Sequence, residues 1–371
     1  MALQGKGFFL WKIKDCEGGD ANRIALEAKN AGLTHVLIKV ANGIYSYNYD
    51  WNKKIDLVPP VAQALKSAGI QVWGWHYVYG DQPIPEARIA IRRVKELNLD
   101  GYVLDAESQY KQAGKKTAAR YFMSELKAGL GDSVPVALSS YRYPSLHPIP
   151  WNEFLEKCDY NMPQVYWIQA HNPADQLARS LREFESSSIK YHPPIVPIGA
   201  AFREHNWESS ASEVVEFMDA ARSMNLSGSN FWEWYACREV QSPKHEVWNA
   251  IASYDWDAGL PPQDITEQYI QALNTHDPEK VVDLYTNQAV HVTSARTIFG
   301  KPAIRAWYNT FFSQLLPNAV FKHTGFSGTG NSRHFTWTAQ SSQNKVLNGN
   351  DTFGLADGKI TYHYTFFNVT Q

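Results

Sequence analysis

Cysteine is scarce in this chain. The three residues, Cys16, Cys158 and Cys237, have neither the even count of a disulfide framework nor the spacing of a metal-ligand cluster. Reduced, structural thiols are expected. Net charge is nearly absent as well, with 35 Lys and Arg against 37 Asp and Glu. No polyanion-attracting surface follows from that balance, and a nucleic-acid partner is not expected. No apolar run is long enough to span a bilayer, and the opening MALQGKGFFLWKIKDC lacks the charged, then uninterruptedly apolar, order of a secretory leader. A cytoplasmic chain with no membrane partner is the default expectation unless a leader has been removed. No Gly-rich phosphate loop follows the first strand, and no nucleotide or metal fingerprint occurs, so no cofactor and no metal are expected.

Aromatic residues, by contrast, are plentiful: 13 Trp, 20 Tyr and 17 Phe in 371 residues. Flat apolar rings stack on sugar faces, although large cores use the same residues. The length suits two domains.

The sharpest chemical signal is DGYVLDAES, from Asp100 to Ser108. Tyr102 to Leu104 read as a buried strand, and Asp105 and Glu107 fall where it emerges. Strand side chains alternate faces, so these two carboxyls share one face with Val103. Paired carboxyls at the end of a buried strand resist joint ionisation, which keeps one of them protonated for acid catalysis.

From Lys6 to about Trp256 the chain alternates short β-branched and aromatic runs with amphipathic helical stretches. GFFLWKI, THVLIKV, IQVWGWHYVYG and the Asp105 run are the first four strands. Strands beginning near Val134, Tyr160, Pro193 and Gly228 follow, each trailed by a helix, the one after strand six capped by Asn172 with Pro173 in its first turn. Eight such units in about 250 residues have the rhythm of an α/β, (β/α)₈ TIM barrel over residues 1–256. In such a barrel the site lies at the C-terminal strand ends. That places Asp105 and Glu107 there, with Lys12, Lys39, His76, Tyr77, Ser140, Tyr141, Arg142, Gln164, Tyr166, Trp232, Glu233, Trp234 and Tyr235 as candidate substrate contacts.

These residues carry a family resemblance. IKVANG, GWHYVYG, YVLDAE and FWEWY resemble the corresponding strand segments of glycoside hydrolase family 25, the lysozyme-type muramidases. More distantly, the Asp-x-Glu and MPQVYW are similar to the chitinase-like family 18. The first resemblance implies Glu107 as general acid and Asp105 as its partner carboxylate. The second implies that Asp105 orients a substrate acetamido group while Glu107 protonates the leaving oxygen. The chain departs from the lysozyme type at strand one, where Lys12 stands near the position of an acidic residue. Adjacent positions on one strand favour the retaining geometry, and an assisting substrate group would also give retention. Glu233 is the reserve carboxylate. The expectation is a retaining glycosidase on a polysaccharide, with a non-catalytic carbohydrate-binding barrel as the alternative.

DWDAGLPPQD breaks the pattern as a linker would, over residues 257–264. Beyond it, residues 265–371 read as two helical stretches followed by a meander of strands, an α+β domain with a curved antiparallel sheet. HDPEKVVDLY, FGKPAIRAWY and DTFGLADGKITYHY resemble the SnoaL-like branch of the nuclear transport factor 2-like superfamily, which implies a cone-shaped domain. Tyr285, His291, Trp307, Trp337, Asp351 and His363 are its candidate cone residues, read foremost as satisfied core. A homodimer through this domain, an extension of the sugar site, or small-ligand chemistry in the cone are the functions left open.

Overall fold

The computed structural model describes residues 3–186, 188–240, 245–258, 264–327 and 331–371. The chain divides into two compact units, Met1–Gly259 and Leu260–Gln371. Of the expected linker, residues 259–263 lie outside the described residues, as do residues 242–244 at the expected start of the last barrel helix. Among the described residues no helix is long and apolar enough to cross a membrane.

The first unit is a closed barrel of eight parallel strands: β1 (Gly5–Leu10), β2 (His35–Asn42), β3 (Gln71–Val78), β4 (Gly101–Ala106), β5 (Val136–Tyr141), β6 (Tyr160–Val165), β7 (Ile198–Ala200) and β8 (Gly228–Trp232). Each pairs with its chain neighbour, and β1 pairs with both β2 and β8, which closes the ring. A helix follows every strand: α1 (Ala21–Asn30), α2 (Val58–Ser67), α3 (Pro83–Glu96), α4 (Lys115–Leu130), α5 (Trp151–Leu155), α6 (Pro173–Phe184), α7 (Ala211–Ser223) and α8 (Glu246–Ser253). Runs such as VLIKVA suit strands covered on both faces, because a parallel sheet under a helix layer needs apolar residues at nearly every position. Asp20 caps α1 by accepting from the backbone N–H groups of Asn22 and Arg23, and Ser210 with Glu213 forms a capping box on α7. Asn172 stands at the N-cap position of α6 but makes no side-chain cap. Its Oδ1 accepts from Gln176 Nε2 at 3.0 Å instead.

Alternation divides the strand side chains between two cores. Phe9, Leu37, Trp73, Val103, Ala137 and Met162 fill the barrel, and their strand neighbours face the helices. Trp73 fits because β4 opens with glycine: a Cβ on Gly101 would lie 2.4 Å from the indole. Gly101→Ala is therefore expected to destabilise the barrel by about 1–3 kcal/mol. An unchanged melting temperature would contradict this packing.

The second unit begins with α9 (Ile265–Asn274) and α10 (Pro278–Val282), then a hairpin of β9 (Tyr285–Val292) and β10 (Thr297–Phe299), and α11 (Lys301–Thr310). Strands β11 (Val320–Ser327), β12 (Ser332–Gln340), β13 (Lys345–Ala356) and β14 (Lys359–Phe366) complete a six-stranded sheet in the order β10-β9-β14-β13-β12-β11. The sheet departs from the expected antiparallel meander in two ways. The hairpin is inserted between the helices, and β9 runs parallel to β14.

Candidate functional site at the barrel mouth

The carboxyl pair lies where β4 ends. Asp105 is on the inner face, two residues beyond Val103, and is 7% exposed. Glu107 follows on the same side and is half-buried. The two carboxyls hydrogen-bond each other. The Gln164 side-chain amide, from β6, bridges them, with Nε2 2.8 Å from Glu107 Oε1, 3.2 Å from Asp105 Oδ1 and 3.3 Å from Ser139 Oγ. Burial pushes both acids up, Asp105 well above the usual carboxylate range, and the Glu107 charge pushes Asp105 up further. Two acids in contact and out of water titrate as a pair, giving up their protons in two separated steps.

That arrangement costs stability at neutral pH. A carboxyl with a raised folded pKa binds its proton more tightly in the native chain, so stability declines as pH rises from the unfolded value near 4 through the folded one. Asp105→Asn is thus expected to melt higher than the wild type at pH 7, by about 2–4 °C for each kcal/mol recovered. A lower melting temperature would mean that the pair is an asset to the fold.

Across the mouth, Lys39 in the second half of β2 is 5% exposed and sits among aromatic rings. Its Nζ is 4.4 Å from the Tyr47 ring centroid and 4.6 Å from that of Trp75, with Trp11 and Tyr77 both at 5.8 Å. Burial lowers its pKa to about 8, against the pull of Asp105. Tyr77 donates to Gln109 Oε1 at 2.9 Å. The β3–α3 loop beyond it is anchored by buried Glu86, whose carboxylate accepts from the backbone N–H groups of Tyr79, Gly80, Asp81 and Gln82 at 2.9–3.2 Å. Trp232 stands against Trp75 with centroids 5.2 Å apart. His147 stacks on Tyr141 at 5.4 Å and aims Nε2 at Glu107 Oε2 from 3.8 Å. Burial lowers its pKa to about 4, so it faces Glu107 as a neutral ring at pH 7.

The expected residues thus separate. Asp105, Glu107, Gln164, Lys39, Tyr77, Tyr141 and Trp232 line the inner face or its rim. Lys12 stands with its Nζ 4.6 Å from the Trp11 ring. Tyr166 packs edge-on to Phe202 at 5.2 Å, and its burial among the acids raises its pKa. His76 does not face the mouth. It points outward and is fully buried, bonding the Tyr102 hydroxyl at 2.8 Å and the Gly43 carbonyl at 2.7 Å. Trp234 is likewise outside, fully buried against Phe8 and Trp248, with Nε1 donating to Glu17 at 3.2 Å. Ser140 also faces out and donates to the Ala106 carbonyl, so Ser139 is the hydroxyl that meets the pair. Glu233 is buried, but its carboxylate turns back to accept from the N–H groups of Ala236 at 2.8 Å and Tyr235 at 3.3 Å. Trp75 could have been found by counting two back from Tyr77. Trp11, Tyr47 and His147 lie in loops, where no periodicity marks them.

In the second unit Asp351, His363 and Tyr285 come together. Buried Asp351 accepts from Trp337 Nε1 at 2.9 Å, bonds His363 Nε2 at 3.0 Å and accepts from Thr365 Oγ1. The chain continues from His363 Nδ1 to Tyr285 at 2.6 Å, then to Tyr308 at 2.9 Å and Tyr269 at 2.7 Å. His291 stacks on His363 at 4.3 Å and against Trp307 at 6.0 Å. Burial holds its pKa down near 2, and neither of its ring nitrogens has a hydrogen-bond partner among the described residues.

Fold and site together define a two-unit α/β protein, a closed eight-stranded parallel barrel with a carboxyl pair at its mouth, followed by an α+β domain. The SnoaL-like domain family matches residues 266–363. The second unit is therefore a SnoaL-like domain. No curated protein matches the chain in sequence. Solved structures similar to this region include a protein of the SnoaL-like family from Agrobacterium tumefaciens str. C58, at 22% identity over 28% of this chain and 94% of that one, with a TM-score of 0.25. An NTF-2 like protein from Burkholderia xenovorans LB400 is 17% identical over 30% and 87%, with a TM-score of 0.26. A protein with a ketosteroid isomerase-like fold from Catenulispora acidiphila DSM 44928 is 14% identical over 29% and 88%, also at 0.26. The domain assignment rests on the family match.

Proposed function

We propose that the barrel is a retaining glycoside hydrolase acting on an amino-sugar-containing polysaccharide, related to the lysozyme-type and chitinase-like barrels. The observation that carries this reading is the buried, proton-sharing pair of Asp105 and Glu107 under the Gln164 amide, ringed by Trp11, Trp75, Tyr77 and Trp232. Cleaving a glycosidic bond needs a proton for the leaving oxygen and a negative group to stabilise the oxocarbenium-like centre. Glu107 has the longer reach and the more open position, and it delivers the proton. Asp105 passes its proton to Glu107 through their hydrogen bond as substrate enters, and Lys39 favours the carboxylate left behind.

The closeness of the pair supports one of the two routes to retention over the other. An acid and a nucleophile that flank a scissile bond stand roughly 5–5.5 Å apart. Carboxyls in hydrogen-bond contact are nearer than that. The nucleophile on this reading is the substrate's own 2-acetamido oxygen, held by Asp105, and water then opens the resulting intermediate with Glu107 as base.

The test is a panel of N-acetylated and N-deacetylated glycans, read by release of reducing ends, with wild type and Glu107→Gln. Cleavage confined to N-acetylated substrates and lost in the variant is expected. Unimpaired turnover in Glu107→Gln would refute the assignment. A second reading, small-ligand chemistry in the SnoaL-like domain, is favoured by the unpartnered ring nitrogens of His291 beside the Asp351–His363–Tyr285 chain. Activity on a small apolar ligand that survives Glu107→Gln would support it.

A further inference from the structure

Beside the mouth, the loop after β2 encloses a cavity of about 550 Å³ with the loop after β1. Lys12 and Lys14 form one wall, and Tyr47, Tyr49, Asp50 and Trp51 form much of the other. The geometry points to a subsite for an acidic sugar, in which Lys12 and Lys14 receive the carboxylate of a uronic-acid-type residue and the rings bear its apolar face.

Four observations support it. The walls are held in place before any ligand arrives: Asn48 Oδ1 accepts from the Ile13 N–H at 2.9 Å, and Asn48 Nδ2 donates to the Trp11 carbonyl at 3.0 Å and the Lys39 carbonyl at 2.8 Å. One side chain thereby ties the β1 loop to the β2 loop. It does so from a left-handed backbone, φ 55°, which asparagine tolerates well. The cations have no acid to neutralise them: Lys12 Nζ lies 4.6 Å from the Trp11 ring, and neither Lys12 nor Lys14 has a carboxylate within 4.0 Å among the described residues. The acid in the cavity is occupied instead: Asp50 accepts from the N–H groups of Asn52 and Lys53, both at 3.0 Å, and has Lys53 Nζ at 4.0 Å. The third observation is the rings. Trp51 is 65% exposed with the Tyr49 ring tilted against it, centroids 4.6 Å apart, an amount of bare indole that a core role does not explain. The fourth is continuity. Tyr47 lines this cavity and also covers Lys39, whose charge acts on Asp105, so the cavity leads to the carboxyl pair by way of Tyr47 and Lys39. A chain of sugars with an N-acetylhexosamine at Asp105 and an acidic neighbour in this cavity meets both.

This inference rests on the glycoside-hydrolase reading for its orientation, and its test reads binding rather than cleavage. The full chain is titrated calorimetrically with chitotetraose, which is neutral, with a hyaluronan tetrasaccharide, which carries carboxylates, and with a chondroitin sulfate tetrasaccharide, which carries sulfate as well. At low salt the hyaluronan fragment is expected to bind at least tenfold more tightly than chitotetraose, and raising the salt from 20 to 200 mM should erase most of that margin. Clearly tighter binding of the sulfated fragment would assign the pocket to sulfate rather than carboxylate and overturn the uronate assignment, whereas equal binding, with uronates on both fragments, supports it. Lys12→Gln/Lys14→Gln is expected to lose the preference, the hyaluronan fragment and chitotetraose then binding that variant alike, Lys14→Arg to keep it, and Trp51→Ala to weaken all three ligands together. Circular dichroism of each variant checks that the barrel is intact. A preference that survives Lys12→Gln/Lys14→Gln overturns the inference, and so does its absence in the wild type or a failure to bind any of the three. Acid-selective binding without cleavage of any glycan leaves the subsite standing and removes the hydrolase, whereas cleavage with no acidic preference does the reverse.

Discussion

Glu107→Gln is expected to lower kcat on an N-acetylated oligosaccharide by about 10²–10⁴-fold, the range over which a positioned proton donor contributes, with the dissociation constant changed by a few-fold at most. Glutamine preserves the volume of the side chain, and its carbonyl can still accept from Gln164 Nε2, which now stands 2.8 Å from Oε1. What disappears is the transferable proton. Asp105→Asn should have a different signature, because the two carboxyls titrate as a pair and the last proton leaves against the charge of the partner. Activity should survive over a narrower range, with the alkaline limb of the pH–rate profile moved to lower pH: removing a neighbouring negative charge makes Glu107 a stronger acid. The sign follows from the direction of the shifts, since both carboxyls lie above their usual range and the active form has one proton on the pair. Rate measurements from pH 4 to 8 on both variants separate the roles. A parallel fall in both variants with unchanged pH limbs would mean that the pair only holds the β4 end in shape.

Much of this site was legible in the residues, and the reason is alternation. Val103, Asp105 and Glu107 stand two apart, so the pair could be assigned one face, and the barrel has that face inward. Alternation also explains the misassignments. At each strand end the sequence offers neighbours on opposite faces, and without the strand's inward register both look eligible. His76 and Tyr77, and Ser140 and Ser139, differ by one position, yet one of each pair joins the helix-facing layer and the other the mouth, while Trp234 lies past the end of β8, where alternation no longer applies. Loops carry no such rule. Tyr47 reaches Lys39 through a turn that Asn48 holds, and His147 comes from a proline-rich segment whose path depends on tertiary packing. In the second unit, NQAVHV is too short and too polar to announce β9 between two helices. Its pairing with β14 is decided by contacts more than sixty residues away.

The barrel is expected to lose stability steeply as pH falls from about 6.5 to 4, because besides His147 at its mouth it wholly encloses two neutral imidazoles, His35 and His76. His76 is wholly enclosed between β3 and the helix layer. The Gly43 carbonyl can only accept, so Nε2 carries the hydrogen and Nδ1 accepts from the Tyr102 hydroxyl. That is the neutral tautomer with both nitrogens satisfied, and a second proton would displace the tyrosine's bond. His35, inside the barrel floor, bonds Asn230 at 2.6 Å and Thr34 at 2.8 Å. Burial lowers the pKa of His76 to about 3 and that of His35 to about 4. Both folded values lie below the unfolded one near 6.5, so on acidification the unfolded chain takes up protons that the native chain refuses. Stability therefore falls from pH 6.5 downward, at about 1.4 kcal/mol per pH unit for each ring. Down to pH 4 this amounts to roughly 3 kcal/mol per ring, against a total stability of about 5–15 kcal/mol. The raised carboxyls of Asp105, Glu107 and Glu233 act in the opposite sense and return part of the loss. Urea titrations of the full chain at pH 7, 6, 5 and 4.5 measure the slope. His76→Gln should be less stable than the wild type at pH 7, for want of the ring's packing, but with a visibly flatter dependence on pH, since glutamine does not titrate. A stability that is level from pH 7 to 5 would mean that these rings reach solvent or a proton acceptor, and the closed packing of the barrel around them would have to be wrong.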